Sequence, residues 1–335
     1  MVERFPLSVP VLVAAVGLLA SPGCGDEAFD QARDVDPLLL ADAAEDPGED
    51  GPGTGFVPDT AREDQIRALD RANWYRWQSG LPPLDMIEGL NDACQAHCDY
   101  WVTHIDQYNA TGLSPHDENP SWSEGFTGVN FWERDAYFGY AAGASEVIAF
   151  MHHPEGSVDG WMNTLYHRIP FMNAQMVAMG YGAAGGGGWQ NSTKIDTVDF
   201  GSVDAAGTSY SGPVAEGIYP PPGSSGIPVS FDGMESPQPP PPPSGYPSGT
   251  IISVTWSGNA GFKVTSHKIW AEDDQQELPH VWLDPGSDAN LTGASTIALY
   301  PYKPLSPGKR YWVSIVGEKN GAAWEKTWDF YTVRY

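Results

Sequence analysis

The chain has 335 residues, long for one ordinary domain and sufficient for two. Its 43 acidic residues against 17 basic ones leave a net charge of -26, which speaks against nucleic acid as a partner and against adsorption to anionic lipid through protein charge. Three cysteines are too few for a disulfide framework, and the balance fits a soluble, extracytoplasmic protein.

Residues 1–24 read as an export signal. Arg4 supplies the positive start, and residues 11–20 form an apolar run too short to span a bilayer as a mature helix. Ser21-Pro22-Gly23-Cys24 then resembles a bacterial lipoprotein lipobox, with a serine where such motifs prefer an aliphatic residue. The resemblance implies that Cys24 is lipidated and anchors the protein in the bacterial cell envelope. Ordinary cleavage nearby with full secretion is the alternative. Residues 25–58 are rich in Asp, Glu, Gly and Pro, and cannot bury enough apolar surface to offset their ordering entropy. They read as a disordered acidic tether.

Helices follow. Thr60 and Glu63 have capping-box spacing, and the helix they open aligns Ile66, Leu69, Asn73 and Trp77 on one stripe, with Gly80 as its stop. A second helix over residues 89–108 puts Leu90, Cys94, His97, Trp101 and Ile105 on its core face, so His97 reads as a hydrogen-bonded core residue and His104 as exposed. Cys94 and Cys98 lie too far apart on an undistorted helix for a disulfide and read as buried thiols, with a zinc pair beside His97 as the alternative, although no second CxxxC or HxxxH accompanies it. Residues 109–133 form a polar loop carrying His116, Asp117 and Glu118. A third helix is expected over residues 134–152, with Glu146 beside its apolar stripe, and His152 and His153 as a surface pair at its end. A fourth starts with Ser157 as N-cap, carries Trp161 and His167, and is closed by Pro170. Strands are expected over residues 176–183 and 194–200, with a turn at residues 185–188.

From residue 213 helical periodicity disappears. Short β-rich runs at 251–256, 262–270, 281–283, 296–300, 311–316 and 324–332 predict an antiparallel sandwich. The proline block 239–243 is polyproline II, either a linker or a long loop (236–248) inside this region, and the strand-like residues 217–220 and 227–231 before it favour the loop. No catalytic constellation is legible here, and Asp232, Glu235, Asp273 and Asp274 read as ordinary loop acids. The fold class is therefore α+β followed by all-β, with a first domain over 59–210 and a second over 213–335.

His116, Glu146 and His167 are a sensible ligand set for zinc or another divalent cation, and without metal they could act as a general base with its partners. Scattered His and Glu more often cap helices and bind water. Residues 63–202 as a whole resemble the CAP superfamily, the SCP-like domains of cysteine-rich secretory, antigen 5 and pathogenesis-related 1 proteins. The resemblance rests on Gly80-Leu81-Pro82-Pro83-Leu84, Ala93 with His97, the His116 loop, and Ala144-Ser145-Glu146-Val147-Ile148 at the position of the family's GENI segment. It continues with Trp161 followed six residues later by His167, as in the bacterial branch, and with Gly180-Tyr181-Gly182. It implies an α-β-α sandwich and a cleft with two His and two Glu, of which His116, Glu146 and His167 match three positions. Thr164 stands where the second glutamate is expected, leaving Glu118 and Asp159 as compensating candidates. The C-terminal part resembles bacterial Ig-like domains through Leu305-Ser306-Pro307-Gly308, Tyr311 and Trp328-Asp329-Phe330. The functions implied are a non-catalytic surface protein binding a metal, small-molecule, lipid or protein ligand; alternatively a metal-assisted peptidase, or an adhesion protein acting through the Ig-like part.

Overall fold

A computed structural model describes residues 53–186, 193–258, 261–291, 293 and 295–334. The export signal with Cys24, most of the tether and half of the 185–188 turn lie outside the described residues. Among the described residues no helix is long and apolar enough to cross a membrane.

The N-terminal part has six helices, α1 (Glu63–Gln78), α2 (Glu88–Thr103), α3 (Ile105–Thr111), α4 (Phe131–Tyr137), α5 (Pro154–Asn163) and α6 (Arg168–Met172). Its four strands are β1 (Asp85–Met86), β2 (Gly143–Ala149), β3 (Ala178–Ala184) and β4 (Ile195–Gly201), in the sheet order β1-β3-β4-β2. β1 runs parallel to β3, and the other pairs are antiparallel. The pleat sends alternate residues to opposite faces. Met179, Tyr181, Val198 and Phe200 meet α1, α5 and α6 through Leu69, Trp161 and Phe171 in the larger core. On the other face α2 lies so close that a Cβ on Gly180 would fall 2.2 Å from the Leu90 carbonyl carbon, and one on Gly182 2.3 Å from that of Cys94. Helices thus cover both faces, the α-β-α layering that the CAP resemblance implies.

Several elements differ from expectation. Arg62, not Thr60, is the N-cap of α1, and the Gln65 side chain accepts from its backbone N–H at 2.8 Å. Trp77 is 40 % exposed. Seven residues after Leu69 the helix returns Arg76 to the core face, and Trp77 lies about 80° round from Leu69. The second helix breaks at His104, whose ring is buried because its Nε2 bonds the Glu124 carbonyl at 2.8 Å. The expected third helix is instead α4 and then a strand. Gly139, at φ +89°, ends the helical turn, and residues 143–149 take the edge of the sheet against β4. The fourth helix is split. His153 caps α5 through Nδ1, which accepts from the Gly156 N–H at 2.9 Å, and Pro154 opens the helix. Thr164 is extended (φ -96°, ψ 175°) and ends it. Pro170 sits in the first turn of α6, where its missing N–H has no intrahelical partner to lose, so it does not close the helix.

The C-terminal part contains β5 (Glu216–Tyr219), β6 (Ser230–Phe231), β7 (Ser248–Gly249), β8 (Ile252–Trp256), β9 (Phe262–Ala271), β10 (His280–Leu283), β11 (Thr296–Pro301), β12 (Arg310–Lys319) and β13 (Ala322–Tyr331). Antiparallel sheets of order β10-β11-β8-β5 and β13-β12-β9 enclose one core that includes Val254, Leu299, Val313 and Phe330. This two-sheet arrangement is consistent with an Ig-like region. The proline block lies between β6 and β7, with the Pro239 carbonyl accepting from the Tyr246 hydroxyl at 3.0 Å. The two parts pack together: Leu165 is buried in a cluster with Phe231, Ile251, Leu283 and Tyr300.

Candidate functional site

Between β2 and β4, helix α2, helix α4 and the loop 112–130 lies a layer of buried charge. Helix α2 supplies His97, and the loop supplies His116 and Glu118. Helix α4 supplies Arg134 and Asp135, and the sheet supplies Glu146 and Asp199, which face each other in the β2–β4 register. Glu146 points to this layer because Val147, its neighbour in the alternation, points into the opposite core.

The two oxygens of the buried Glu146 carboxylate are divided between two partners. Oε1 accepts from His116 Nδ1 at 2.8 Å, and Oε2 accepts from Arg134. Arg134 also donates to the His116 carbonyl at 3.1 Å, and its Nε lies 3.9 Å from Glu118. Glu118 bonds His97 Nδ1 at 3.1 Å and accepts from the Thr127 N–H at 2.9 Å. The other His97 nitrogen, Nε2, donates to the Pro115 carbonyl at 2.8 Å, so His97 is a core residue as expected. Burial alone would raise the Glu146 pKa, but the Arg134 guanidinium and the bond from His116 overcome it and hold the carboxyl well below the usual carboxylate range. Burial likewise works against the Arg134 charge, and the Glu146, Asp199 and Glu118 carboxylates override it.

A carboxylate only accepts, so His116 Nδ1 carries a proton and neutral His116 presents a lone pair at Nε2. That nitrogen has no protein partner among the described residues, and the His116 side chain is 40 % exposed. This is the orientation of a histidine prepared to bind or to accept a proton.

Asp135 and Asp199 lie behind this arrangement and are fully buried. None of their four carboxyl oxygens has a hydrogen-bond partner among the described residues, and two buried acids acting on each other favour a retained proton. Burial, followed by the Glu146 charge, pushes Asp135 up to about 7. Asp199 is also raised, by burial and by the two neighbouring acids. Cys94 and Cys98 are free and buried beside them: Cys94 Sγ accepts from the Asp199 N–H at 3.3 Å, and Cys98 Sγ donates to Thr197 Oγ1 at 3.4 Å.

The expected cluster of His116, Glu146 and His167 does not assemble. His116 and Glu146 meet, and Glu118 joins them through Arg134. His167 Nδ1 instead donates to Glu235 Oε1 at 3.0 Å. Glu235 also accepts from the backbone N–H groups of Leu165, Tyr166 and His167 at 2.8, 2.6 and 3.0 Å. It is therefore no ordinary loop acid; its side chain is buried. Asp159 pairs with Arg71 at 2.6 Å and accepts from the Tyr75 hydroxyl at 2.8 Å, and Thr164 Oγ1 donates to the Trp161 carbonyl at 2.7 Å. Among the described residues no group of three or more His, Cys, Asp and Glu forms a metal-holding cluster. With His116 and Arg134 occupying both Glu146 oxygens, this donor set does not fit a shared ion.

The family model for CAP, the cysteine-rich secretory protein family, matches residues 69–200. That segment is a CAP domain. No curated protein matches the chain. The matched span of the CAP domain contains every member of the buried charge layer, and Trp161, whose Nε1 donates to the Ile148 carbonyl at 3.1 Å, ties α5 to the strand bearing Glu146. Sequence reading missed Arg134, Asp135 and Asp199. The available signal was an arginine twelve residues before Glu146 in a chain with few basic residues.

Proposed function

We propose that the protein is exported, anchored in the cell envelope through lipidated Cys24, and binds a small or lipid-like ligand at His116 without catalytic turnover. The observation that carries this reading is the His116–Glu146–Arg134 arrangement, which fixes one imidazole nitrogen on a buried carboxylate and leaves the other free. A ligand hydroxyl or N–H would donate to His116 Nε2. Val129 and Trp132, exposed apolar side chains beside the loop and helix that hold Arg134, offer surface for an apolar body.

The test uses the full chain and two probes, a 3-hydroxy sterol and a long-chain primary alcohol. Wild type should retain at least one of them, and His116→Phe should bind at least tenfold more weakly while unfolding at a similar urea concentration. Equal binding by both proteins, or binding by neither, would count against the reading. His116-dependent cleavage in a peptide-library digest, with or without added zinc, would replace binding by hydrolysis. For the anchor, Cys24→Ala should move the protein from the membrane fraction to the soluble extracytoplasmic fraction.

A further inference from the structure

Two histidines meet where the chain passes from β9 to β10 in the C-terminal sandwich, far in sequence from the CAP domain. His267 is on β9, an edge strand of the three-stranded sheet, and His280 begins β10, an edge strand of the four-stranded sheet. Their contact lies beside the isolated Trp270–Glu277 bridge and the bond from the Leu278 N–H to the Ile269 carbonyl, which tie β9 to the segment entering β10. His267 Nδ1 and His280 Nε2 are 2.7 Å apart, with the rings at 78°.

Both rings are oriented by groups behind them. His280 Nδ1 lies 2.7 Å from the Leu278 carbonyl, which only accepts, so its proton is on Nδ1 and a lone pair is on Nε2. A backbone carbonyl behind the imidazole is the usual partner of a metal-ligating histidine. His267 is stacked on Trp282 at 4.3 Å with the planes 8° apart, which fixes its ring. Burial and the neighbouring His280 keep the His267 pKa below its ordinary value, so the ring is neutral near pH 7. The Glu277 and Asp284 carboxylates act on His267 electrostatically, adding negative potential at the pair.

We propose that His267 and His280 form a two-imidazole site for a divalent transition metal of the zinc and nickel class, bridging the edges of the two sheets. The ion takes the place of the hydrogen bond between Nδ1 and Nε2: His267 changes tautomer, its one proton passing through solvent from Nδ1 to Nε2, so that both neutral rings present a lone pair to the ion and no net proton is lost. Metal–nitrogen bonds of about 2.0–2.1 Å set the two nitrogens about 2.9–3.4 Å apart, for right-angle to tetrahedral geometry. The present separation of 2.7 Å needs only a small opening. Water completes the coordination.

The experiment titrates the full chain with NiCl2 and ZnCl2 by calorimetry, with His267→Gln, His280→Gln and, as a control elsewhere in the chain, His152→Gln. One site per wild-type chain is expected, weakened at least tenfold in either of the first two variants and unchanged in the control. Nickel should also quench part of the tryptophan emission, and Trp282→Phe should remove that part. Absence of binding at millimolar metal, equal binding by the three variants, or quenching that survives Trp282→Phe would overturn the proposal. Circular dichroism of each variant establishes that it is folded. The result is independent of ligand binding at His116, which lies in the other part of the chain.

Discussion

Glu235 and His167 join two parts of the molecule through a hydrogen bond of 3.0 Å, made by a residue in the loop after β6 and a residue at the start of α6. The same carboxylate receives three successive backbone N–H groups from residues 165–167. The turn that carries a histidine of the CAP pattern is thus held by the C-terminal sandwich, which explains why this histidine does not join His116.

Glu235→Ala should therefore destabilise the chain by about 3 kcal/mol, since charge-assisted bonds are lost and buried donors are left without a partner. Glu235→Gln should recover part of that loss through its remaining acceptor. Urea unfolding of both variants checks the order. A change below 0.5 kcal/mol in the alanine variant would show that water replaces the carboxylate.

Glu146→Gln should cost about 3–5 kcal/mol, because it takes from the buried Arg134 its hydrogen-bonded counter-charge and leaves only the more distant Glu118. It also leaves one acceptor oxygen for two donors, so either the His116 or the Arg134 bond is lost. Acid should act in the same direction. The Glu146 pKa is depressed in the folded state, so its contribution is present above the ordinary glutamate value and disappears as pH falls below it. Wild type should lose stability below about pH 4.5 more steeply than Glu146→Gln.

The Asp135–Asp199 pair has the opposite sign. Its folded-state pKa values are raised, so the native state retains a proton that the unfolded chain has released. Stability should fall as pH rises from the ordinary aspartate value of 3.8 toward about 7, by up to about 1.4 kcal/mol per pH unit. Asp135→Asn removes one of the two acids and its charge from beside Asp199 and should flatten this dependence, leaving the variant more stable than wild type at pH 8. Unfolding midpoints at pH 5 and pH 8 measure it, and parallel profiles for the two proteins would show that the retained proton does not belong to this pair.

Gly182→Ala should destabilise severely, because the added methyl group would meet the backbone of α2 at 2.3 Å. Gly186→Ala, where an added Cβ meets nothing within 4 Å, is the control and should change the thermal midpoint little.

The all-β half was the most legible, since its β-rich runs at 296–300 and 311–316 became β11 and β12. Periodicity failed where a few residues decide the outcome. Residues 134–152 have apolar residues at helical spacing, yet Gly139 and pairing with β4 convert the second half of the segment to a strand. The Trp161–His167 spacing led to the CAP comparison, and the helix between them proved discontinuous. For the site, residue type identified His116, Glu118 and Glu146. It could not identify what each side chain faces. Arg134 was legible only as a helix residue, and the partner of His167 lies 68 positions away on a loop whose acids look alike in sequence.

Arg168 donates to the Met162 carbonyl at 2.6 Å within the CAP domain and to the Ile251 carbonyl at 2.9 Å outside it, and its guanidinium lies 3.8 Å from the Tyr219 ring. A protease that nicked residues 205–212 would accordingly produce two fragments that co-elute. An expression boundary drawn just after residue 201 would strand a buried cation beside an uncovered Leu165, giving material prone to aggregate although every residue of the family match is present.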